Sequence, residues 1–379
     1  SWEVISPDLT RALDKYHGIP GGPIQHDGTG VEIYSTIFTF EISTLEEGVF
    51  WAGSDDGLIH ISKDAGKTWS NITPPAMPNE GTVNKISLSE HSKGRALAAV
   101  YRYRDNDYKP YIFQTNDYGE SWRLLTNGNG IPNNHFVRAV VEDKVVKGLL
   151  YAGTEFGVYV SHNDGQTWQK FQQNLPVVPI TDMEIQDNRL AMSTQGRSFW
   201  ISDDLGPIQG ATITKSGNVL YKPADAYRTE IYGKDINIDF YIADKVDTGT
   251  VAILEIKNGE GQVIRKYTTK PNEDNDEEEL KINQGHNQLN WNMRIQGPEL
   301  VPDFVSMVLP NPAPGAKIPP GDYKVNLTIC DWQQEQVLAV KIEPGGAGAS
   351  KRRRQSKIDL AGTNGRGHGR FFRSFFGTI

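Results

Sequence analysis

The eight residues Ser62-Lys63-Asp64-Ala65-Gly66-Lys67-Thr68-Trp69 decide the fold, because the chain repeats them. The pattern Ser/Thr-x-Asp/Asn-x-Gly-x-Ser/Thr-Trp returns at Thr115-Asn116-Asp117-Tyr118-Gly119-Glu120-Ser121-Trp122 and at Ser161-His162-Asn163-Asp164-Gly165-Gln166-Thr167-Trp168. A shortened copy, Ser202-Asp203-Asp204-Leu205-Gly206, lacks the Thr-Trp end. The chemistry is that of a tight hairpin turn. The Asp or Asn oxygen folds back onto nearby N–H groups, glycine supplies a positive φ at low cost, and the hydroxyls satisfy the remaining turn backbone. The tryptophan opens the outgoing strand and is expected to pack beneath the loop.

Spacings of 53 and 46 residues between the box tryptophans suit one four-stranded propeller blade per box. Trp51-Ala52-Gly53 through Gly57-Leu58-Ile59-His60-Ile61 leads into the first box, and Tyr151-Ala152-Gly153 through Gly157-Val158-Tyr159-Val160 into the third. Both read as strand, turn, strand, box, strand. Blades are expected over about 31–75, 83–125, 135–172 and 178–206. Ser1-Trp2-Glu3-Val4-Ile5 reads like the exit from a box, comparable with Trp69-Ser70-Asn71-Ile72, so the chain is expected to begin inside a blade of a larger ring. The fold class is therefore all-β: Asp-box β-propeller blades forming a partial ring over 1–208, then a linker over 209–229.

From Ile236 the pattern changes to a clean alternation, with Ile236, Ile238, Phe240 and Ile242 on one face and Asn237, Asp239 and Tyr241 on the other. Further strands are expected at 250–256, 262–268, 279–283, 287–293, 322–329 and 335–342, with a hairpin at Lys257-Asn258-Gly259-Glu260 and Trp291 as core aromatic. Seven short strands suit an immunoglobulin- or fibronectin-III-like β-sandwich over 230–345. Residues 346–379 have no period and carry eight Lys/Arg against Asp359 alone, a local charge of +7 in a chain of net −8. Such a tail, with seven glycines, is expected to be poorly ordered. Without it the body is strongly acidic, which argues against nucleic-acid binding by the folded part. The single cysteine, Cys330, excludes a disulfide-stapled scaffold, and no apolar run is long enough to span a membrane.

The phrases Gly21-Gly22-Pro23-Ile24, Trp51-Ala52-Gly53-Ser54-Asp55-Asp56-Gly57, Leu149-Leu150-Tyr151-Ala152-Gly153-Thr154-Glu155 and Thr194-Gln195-Gly196-Arg197-Ser198-Phe199-Trp200, with the boxes, cover over half the chain. This stretch resembles the sortilin-type, BNR/Asp-box repeat proteins of the bacterial "glycosyl hydrolase-like" group. The resemblance implies a secreted or periplasmic protein with a propeller and C-terminal β-sandwich modules. Animal sortilins carry cysteine-rich modules after the propeller, which a chain with Cys330 alone lacks, so cargo-receptor function does not carry over.

Five residues are candidates for a binding site: Asp55, Asp56, Glu155, Arg197 and Tyr103. Paired acids serve as general acid and base in glycoside hydrolysis, and Asp55, Asp56 and Glu155 occupy equivalent places in two blades. Repetition favours structure instead, namely Asx turns in the blade loops. Arg197 is the best candidate for an inward polar group, against a structural bridge to Asp203 or Asp204. Tyr103 belongs to the aromatic–polar insert Tyr101–Tyr111, which reads as a sugar or peptide groove or as a long outer hairpin. The box residues Ser62, Asp64, Gly66, Trp69, Thr115, Asp117, Gly119, Trp122, Ser161, Asn163, Gly165 and Trp168 are read as structural, since a turn that recurs in each blade is unlike a unique active site. Asn272–Glu279 imitates a calcium loop but lacks its mid-loop glycine and final spacing. The histidines show no metal-ligand spacing, and no metal or cofactor is expected. Two functions remain: a non-catalytic binding or scaffold protein for a protein, peptide or glycan outside the cytoplasm, or a glycoside hydrolase with carboxylates partly in further blades.

Overall fold

In a computed structural model the structure describes residues 3–13, 34–213, 217–228, 235–247, 249–271, 277–295, 297 and 315–342. The phrase around Gly21, the centre of the acidic loop at 272–276 and the basic tail lie outside the described residues. The chain divides into two units, Ser1–Ser216 and Gly217–Ile379.

The first unit is a series of antiparallel meanders. Strands β1 (Ile37–Ile42), β2 (Phe50–Ser54), β3 (Ile59–Ser62) and β4 (Ser70–Asn71) form one sheet in chain order. Strands β5 (Thr82–Leu88), β6 (Ala96–Arg102), β7 (Asp107–Thr115) and β8 (Arg123–Leu124) form the second. The third holds β9 (Val137–Glu142), β10 (Leu150–Thr154), β11 (Gly157–Ser161) and β12 (Gln169–Lys170). The fourth has β13 (Ile180–Gln186), β14 (Arg189–Thr194) and β15 (Phe199–Ser202). These are propeller blades, stacked face to face by alternating apolar residues. Trp51, Ile59 and Ile61 of the first blade pack on Ile86, Ala98 and Phe113 of the second. Leu97, Ala99 and Ile112 on the second blade's other face pack on Val140, Leu150 and Ala152 of the third. Tyr151, Val158 and Val160 then meet Met183, Leu190 and Met192 of the fourth.

The boxes form the hairpins expected of them. In the first, Thr68 N–H donates to Asp64 Oδ1 at 2.8 Å and Gly66 N–H to Ser62 Oγ at 2.8 Å. The same pair recurs as Ser121 N–H to Asp117 and Gly119 N–H to Thr115, and as Thr167 N–H to Asn163 and Gly165 N–H to Ser161, each at 2.9 Å. The two residues at each tip have positive φ, as at Tyr118 (60°) and Gly119 (87°). The tryptophans do more than pack beneath their loops. Each indole reaches back to the preceding segment: Trp69 Nε1 donates to Ile5 O (2.9 Å), Trp122 to Ile72 O (2.7 Å) and Trp168 to Leu125 O (3.0 Å). Trp168 is buried, whereas Trp69 and Trp122 are half-buried. The shortened fourth copy makes no hairpin. Without the Thr-Trp end, Asp204 accepts from Gly206 N–H at 2.8 Å and starts helix α1 (Gly206–Ile213). Gln209 of that helix ties back to Asp143 and Asn188, so the stretch read as linker begins within the first unit.

The second unit has two sheets. Strands β16 (Val219–Leu220), β18 (Ile236–Ile242) and β22 (Gly285–Trp291) make one. The other runs β17 (Ala226–Arg228), β24 (Trp332–Ile342), β23 (Gly321–Ile329), β19 (Ala252–Lys257), β20 (Val263–Thr268) and β21 (Glu278–Glu279). Ile236, Ile238, Phe240 and fully buried Trp291 share a core with Leu254, Ile256, Val325, Leu327 and Leu338. One detail differs from the sequence reading. Asp239, placed on the outer face, is buried, and its Oδ1 accepts from Gln288 (3.0 Å) and lies 2.9 Å from His286 Nε2. The hairpin expected at 257–260 joins β19 to β20, with Asn258 closing the turn onto Gln262 and Gly261 taking the positive φ.

Candidate functional site

A meander places alternate turns at opposite ends of a blade. The boxes share one end with the turns after β1, β5 and β9: Ala65 N–H donates to Gly48 O, Tyr118 N–H to Gly94 O and Asp164 N–H to Gly148 O. The other end, here the loop end, carries the β2–β3, β6–β7, β10–β11 and β14–β15 turns. Asp55, Asp56, Tyr103, Glu155 and Arg197 all stand in these turns.

The backbone of each inner strand is interrupted at one place as it leaves the loop end. The pairing registers of β1, β5, β9 and β13 all skip one residue, at Phe38, Asn84, Arg138 and Thr181. Such a bulge re-aims its side chain and ends regular pairing. At Arg138 it turns the guanidinium onto an aromatic group. The guanidinium carbon lies 5.1–5.4 Å from the rings of Tyr101, Tyr103 and Phe136. Tyr103 stacks on Phe136 with centroids 4.9 Å apart and lies 5.1 Å from Tyr101, and Tyr108 approaches Phe136 at 6.3 Å. Glu155 completes the group by accepting from Arg138 Nε (3.2 Å) and Nη2 (3.1 Å). Beside it His135 packs on Phe156 at 4.4 Å and bonds Tyr159 Oη through Nδ1 at 2.9 Å. Burial, with the Lys170 charge, depresses the His135 pKa. Tyr101 and Phe136 are buried and form the floor. Tyr108 (46 % exposed) and Phe156 (37 %) form the accessible surface.

Thus the structure brings Tyr103 and Glu155 together through Arg138. Asp55 connects to the same group through Thr82, whose hydroxyl donates to Asp55 O at 3.0 Å and whose backbone pairs with Tyr101. The Asp55 and Asp56 side chains are otherwise engaged by the first blade and by Arg11 ahead of it. Asp55 Oδ1 accepts Thr36 N–H (2.8 Å), and burial raises its pKa. Asp56, fully buried, accepts from Ser54 Oγ (2.6 Å) and Arg11 N–H (2.7 Å). Arg197 is exposed, and its carbonyl accepts the Trp200 indole at 3.0 Å. The box acids are engaged likewise: hydrogen bonds from Thr68 and Ser121 hold the Asp64 and Asp117 carboxyls below the usual range.

Sequence reasoning missed Phe136, His135 and Phe156, since they come from separate blade connections without any motif of their own. It also missed a polar group on the inner strands, where Lys85 Nζ lies 2.9 Å from Asp182 and 3.8 Å from Glu184. Half-buried Glu41 faces the same three charges, and burial raises its pKa. No group of His, Cys, Asp and Glu suited to a metal ion occurs among the described residues. No helix among them is long and apolar enough to cross a membrane.

The BNR/Asp-box repeat model matches residues 159–170. That span is the third box with its flanking strands. No curated protein matches the chain. Among solved structures, the chain is similar to YCF48 bound to D1 peptide at 15 % identity and TM-score 0.33, over 54 % of this chain and 65 % of that one. A GH74 xyloglucanase from Xanthomonas campestris is similar at 12 % identity and TM-score 0.35, over 54 % of this chain and 35 % of that one. An extracellular domain from B. thetaiotaomicron is similar at 14 % identity and TM-score 0.35, over 81 % of this chain and 38 % of that one. These neighbours are β-propeller proteins, and the chain spans less than two thirds of each.

Proposed function

We propose that the chain is a non-catalytic binding protein of the sortilin-type Asp-box kind, working outside the cytoplasm and offering the loop end of its blades to a protein, peptide or glycan. The observation that carries this reading is the aromatic shelf. Tyr103 and Tyr108 pack on a buried floor of Tyr101 and Phe136, Phe156 packs on His135 beside them, and the Arg138–Glu155 pair lies against the same rings. Rigid aromatic surface with a polar pair at its base suits stacking of a sugar ring or a side chain. The second unit, with its shared core and two sheets, is read as an immunoglobulin-like sandwich.

The test is binding to peptide and oligosaccharide arrays by the intact chain and by Tyr103→Ala and Tyr108→Ala. The reading expects a ligand class retained by the wild type and lost by both variants. A class bound equally by all three would contradict it.

One observation favours hydrolysis instead: Glu41, with its raised pKa, faces Asp182 and Glu184 across Lys85. A carboxyl whose pKa is raised by burial, facing two further carboxyls, is the kind of grouping that glycoside hydrolysis uses. Release of reducing ends from a polysaccharide, abolished by Glu41→Gln and by Asp182→Asn, would establish that reading over binding.

A further inference from the structure

The outward faces of the second unit's two sheets are built from different chemistry. On the six-stranded sheet, residues alternating with the core face form Lys–Glu pairs: Lys324 with Glu335 (2.8 Å), Lys257 with Glu255 (3.1 Å) and Lys266 with Glu277 (2.6 Å). Such residues are the ordinary cover of a solvated face. On the three-stranded sheet, the residues turned away from Ile236, Ile238, Phe240 and Trp291 pair in register as Asn237 with Asn290, Asp239 with Gln288 and Tyr241 with His286. No Lys, Arg or Glu stands on this face of β18 and β22.

At the centre of this face is Asp239, 5 % exposed although it belongs to the outward set. Its Oδ1 accepts Gln288 Nε2 at 3.0 Å and lies 2.9 Å from His286 Nε2. Buried Tyr221 donates its N–H to Asp239 O at 3.0 Å. Burying a carboxyl costs desolvation, and what this one secures is the orientation of two exposed side chains. Because its oxygen receives both N–H groups, Gln288 Oε1 and His286 Nδ1 remain as acceptors without partners among the described residues. The Asn237 and Asn290 side chains are exposed and also lack partners among the described residues. Tyr241, 39 % exposed, and His286, whose side chain is 52 % exposed, stand directly opposite each other and add two ring surfaces. The three rows stand about 7 Å apart along the strands and form a strip about 13 Å long.

We propose that this face of the second unit is a binding site of its own, for the uncharged sugar residues of a polysaccharide. Each side-chain amide offers two donors and an acceptor, which matches hydroxyl groups that both donate and accept. The Tyr241 and His286 rings offer apolar faces, with polar edges, to the C–H surface of a sugar ring. An anionic glycan would meet Asp239 and no cation on these strands. A protein partner needs an apolar or aromatic anchor at the centre of its contact, whereas the centre of this strip is a carboxyl. The site is distinct from the aromatic shelf and does not rest on it.

Affinity electrophoresis of the full chain tests this, in gels holding a soluble β-glucan, xyloglucan, galactomannan or α-glucan, with polygalacturonate as the anionic counterpart. The proposal expects at least one neutral polysaccharide to retard the chain. Its Kd should rise about tenfold or more in Tyr241→Ala and in the double variant Asn237→Ala with Asn290→Ala. The two asparagine side chains hold no other described group, so the double variant keeps the second unit's Tm, which calorimetry checks. Tyr103→Ala and Lys324→Ala should leave Kd within about twofold of wild type, which separates this face from the loop end and from the other sheet. The proposal is overturned if no neutral polysaccharide retards the chain, or if retardation survives both variants. Loss confined to Tyr103→Ala, or retardation by polygalacturonate alone, overturns it equally.

Discussion

Gly119→Ala separates the two demands a box makes on its glycine. Its φ is +87°, and an added Cβ would fall 2.6 Å from Ile72 Cδ1 and 2.7 Å from Ile72 Cβ. The left-handed backbone costs an L-residue about 1–2 kcal/mol, and forcing a methyl into a packed contact adds about 1–3 kcal/mol. The Ile72 Cδ1 end can rotate away, but its Cβ is fixed to the backbone, so the clash is only partly relieved. A total of about 3 kcal/mol follows. Gly128→Ala is the control: its φ is +70°, with nothing within 4 Å of the new Cβ, so it carries the backbone cost alone, about 1 kcal/mol. In a unit of this size each kcal/mol moves Tm by about 2–4 °C. Scanning calorimetry should therefore show the first unit's transition about 6–12 °C lower in Gly119→Ala and about 2–4 °C lower in Gly128→Ala. The second unit's transition should stay in place in both. Equal shifts would refute the claim that the box glycine seats one blade on the next.

Arg95, 3 % exposed, bridges Glu142 and Asp164 between the second and third blades at 2.8 and 2.6 Å. Arg95→Ala leaves the buried Glu142 without its cation and should cost about 3–5 kcal/mol, read as a lowered urea midpoint of the first unit; a change under about 1 kcal/mol refutes that role. The Asp117 carboxyl is held below its usual pKa by Ser121 and Thr115, so its stabilisation is present above the ordinary carboxyl range and is lost as pH falls through the lowered value. Asp117→Asn, the residue used in the third box, should melt like wild type at pH 7 and lose less stability on acidification; a steeper acid loss contradicts this. Asp55 and Glu41 have the opposite sign, since burial raises their pKa values. They reduce stability as pH rises through the window between the ordinary and raised values, and Glu41→Gln should flatten stability there, measured by Tm from pH 4 to 7.

The boxes were legible because each is a local object, in which four residues within eight make five hydrogen bonds to one another. The strands were legible for the same reason, as period-2 alternation. What escaped is what depends on meetings between blades. The indole N–H of Trp122 finds its acceptor at Ile72, and Phe136 meets Tyr103, only after two sheets stack. The bulge at Arg138 leaves no mark in composition, because any residue type can occupy it; Phe38, Asn84 and Thr181 do so in the other blades. The helix at Gly206–Ile213 escaped because Ser202–Gly206 begins as a box does, and only the missing Thr-Trp end denies it a hairpin. Asp239 follows the strand period yet is buried, since His286 and Gln288 on the paired strand supply polar partners that alternation alone does not reveal.

The central claim is that the loop end holds the ligand and the box end holds the blades. A hydrogen-exchange footprint tests it most directly, using the peptide or oligosaccharide bound most strongly on the arrays. The account predicts slowed exchange over 101–108, 133–138 and 154–158 on addition of that probe, with 62–69, 115–122 and 161–168 unchanged. Protection confined to the three boxes, with the aromatic loops unaffected, would contradict it.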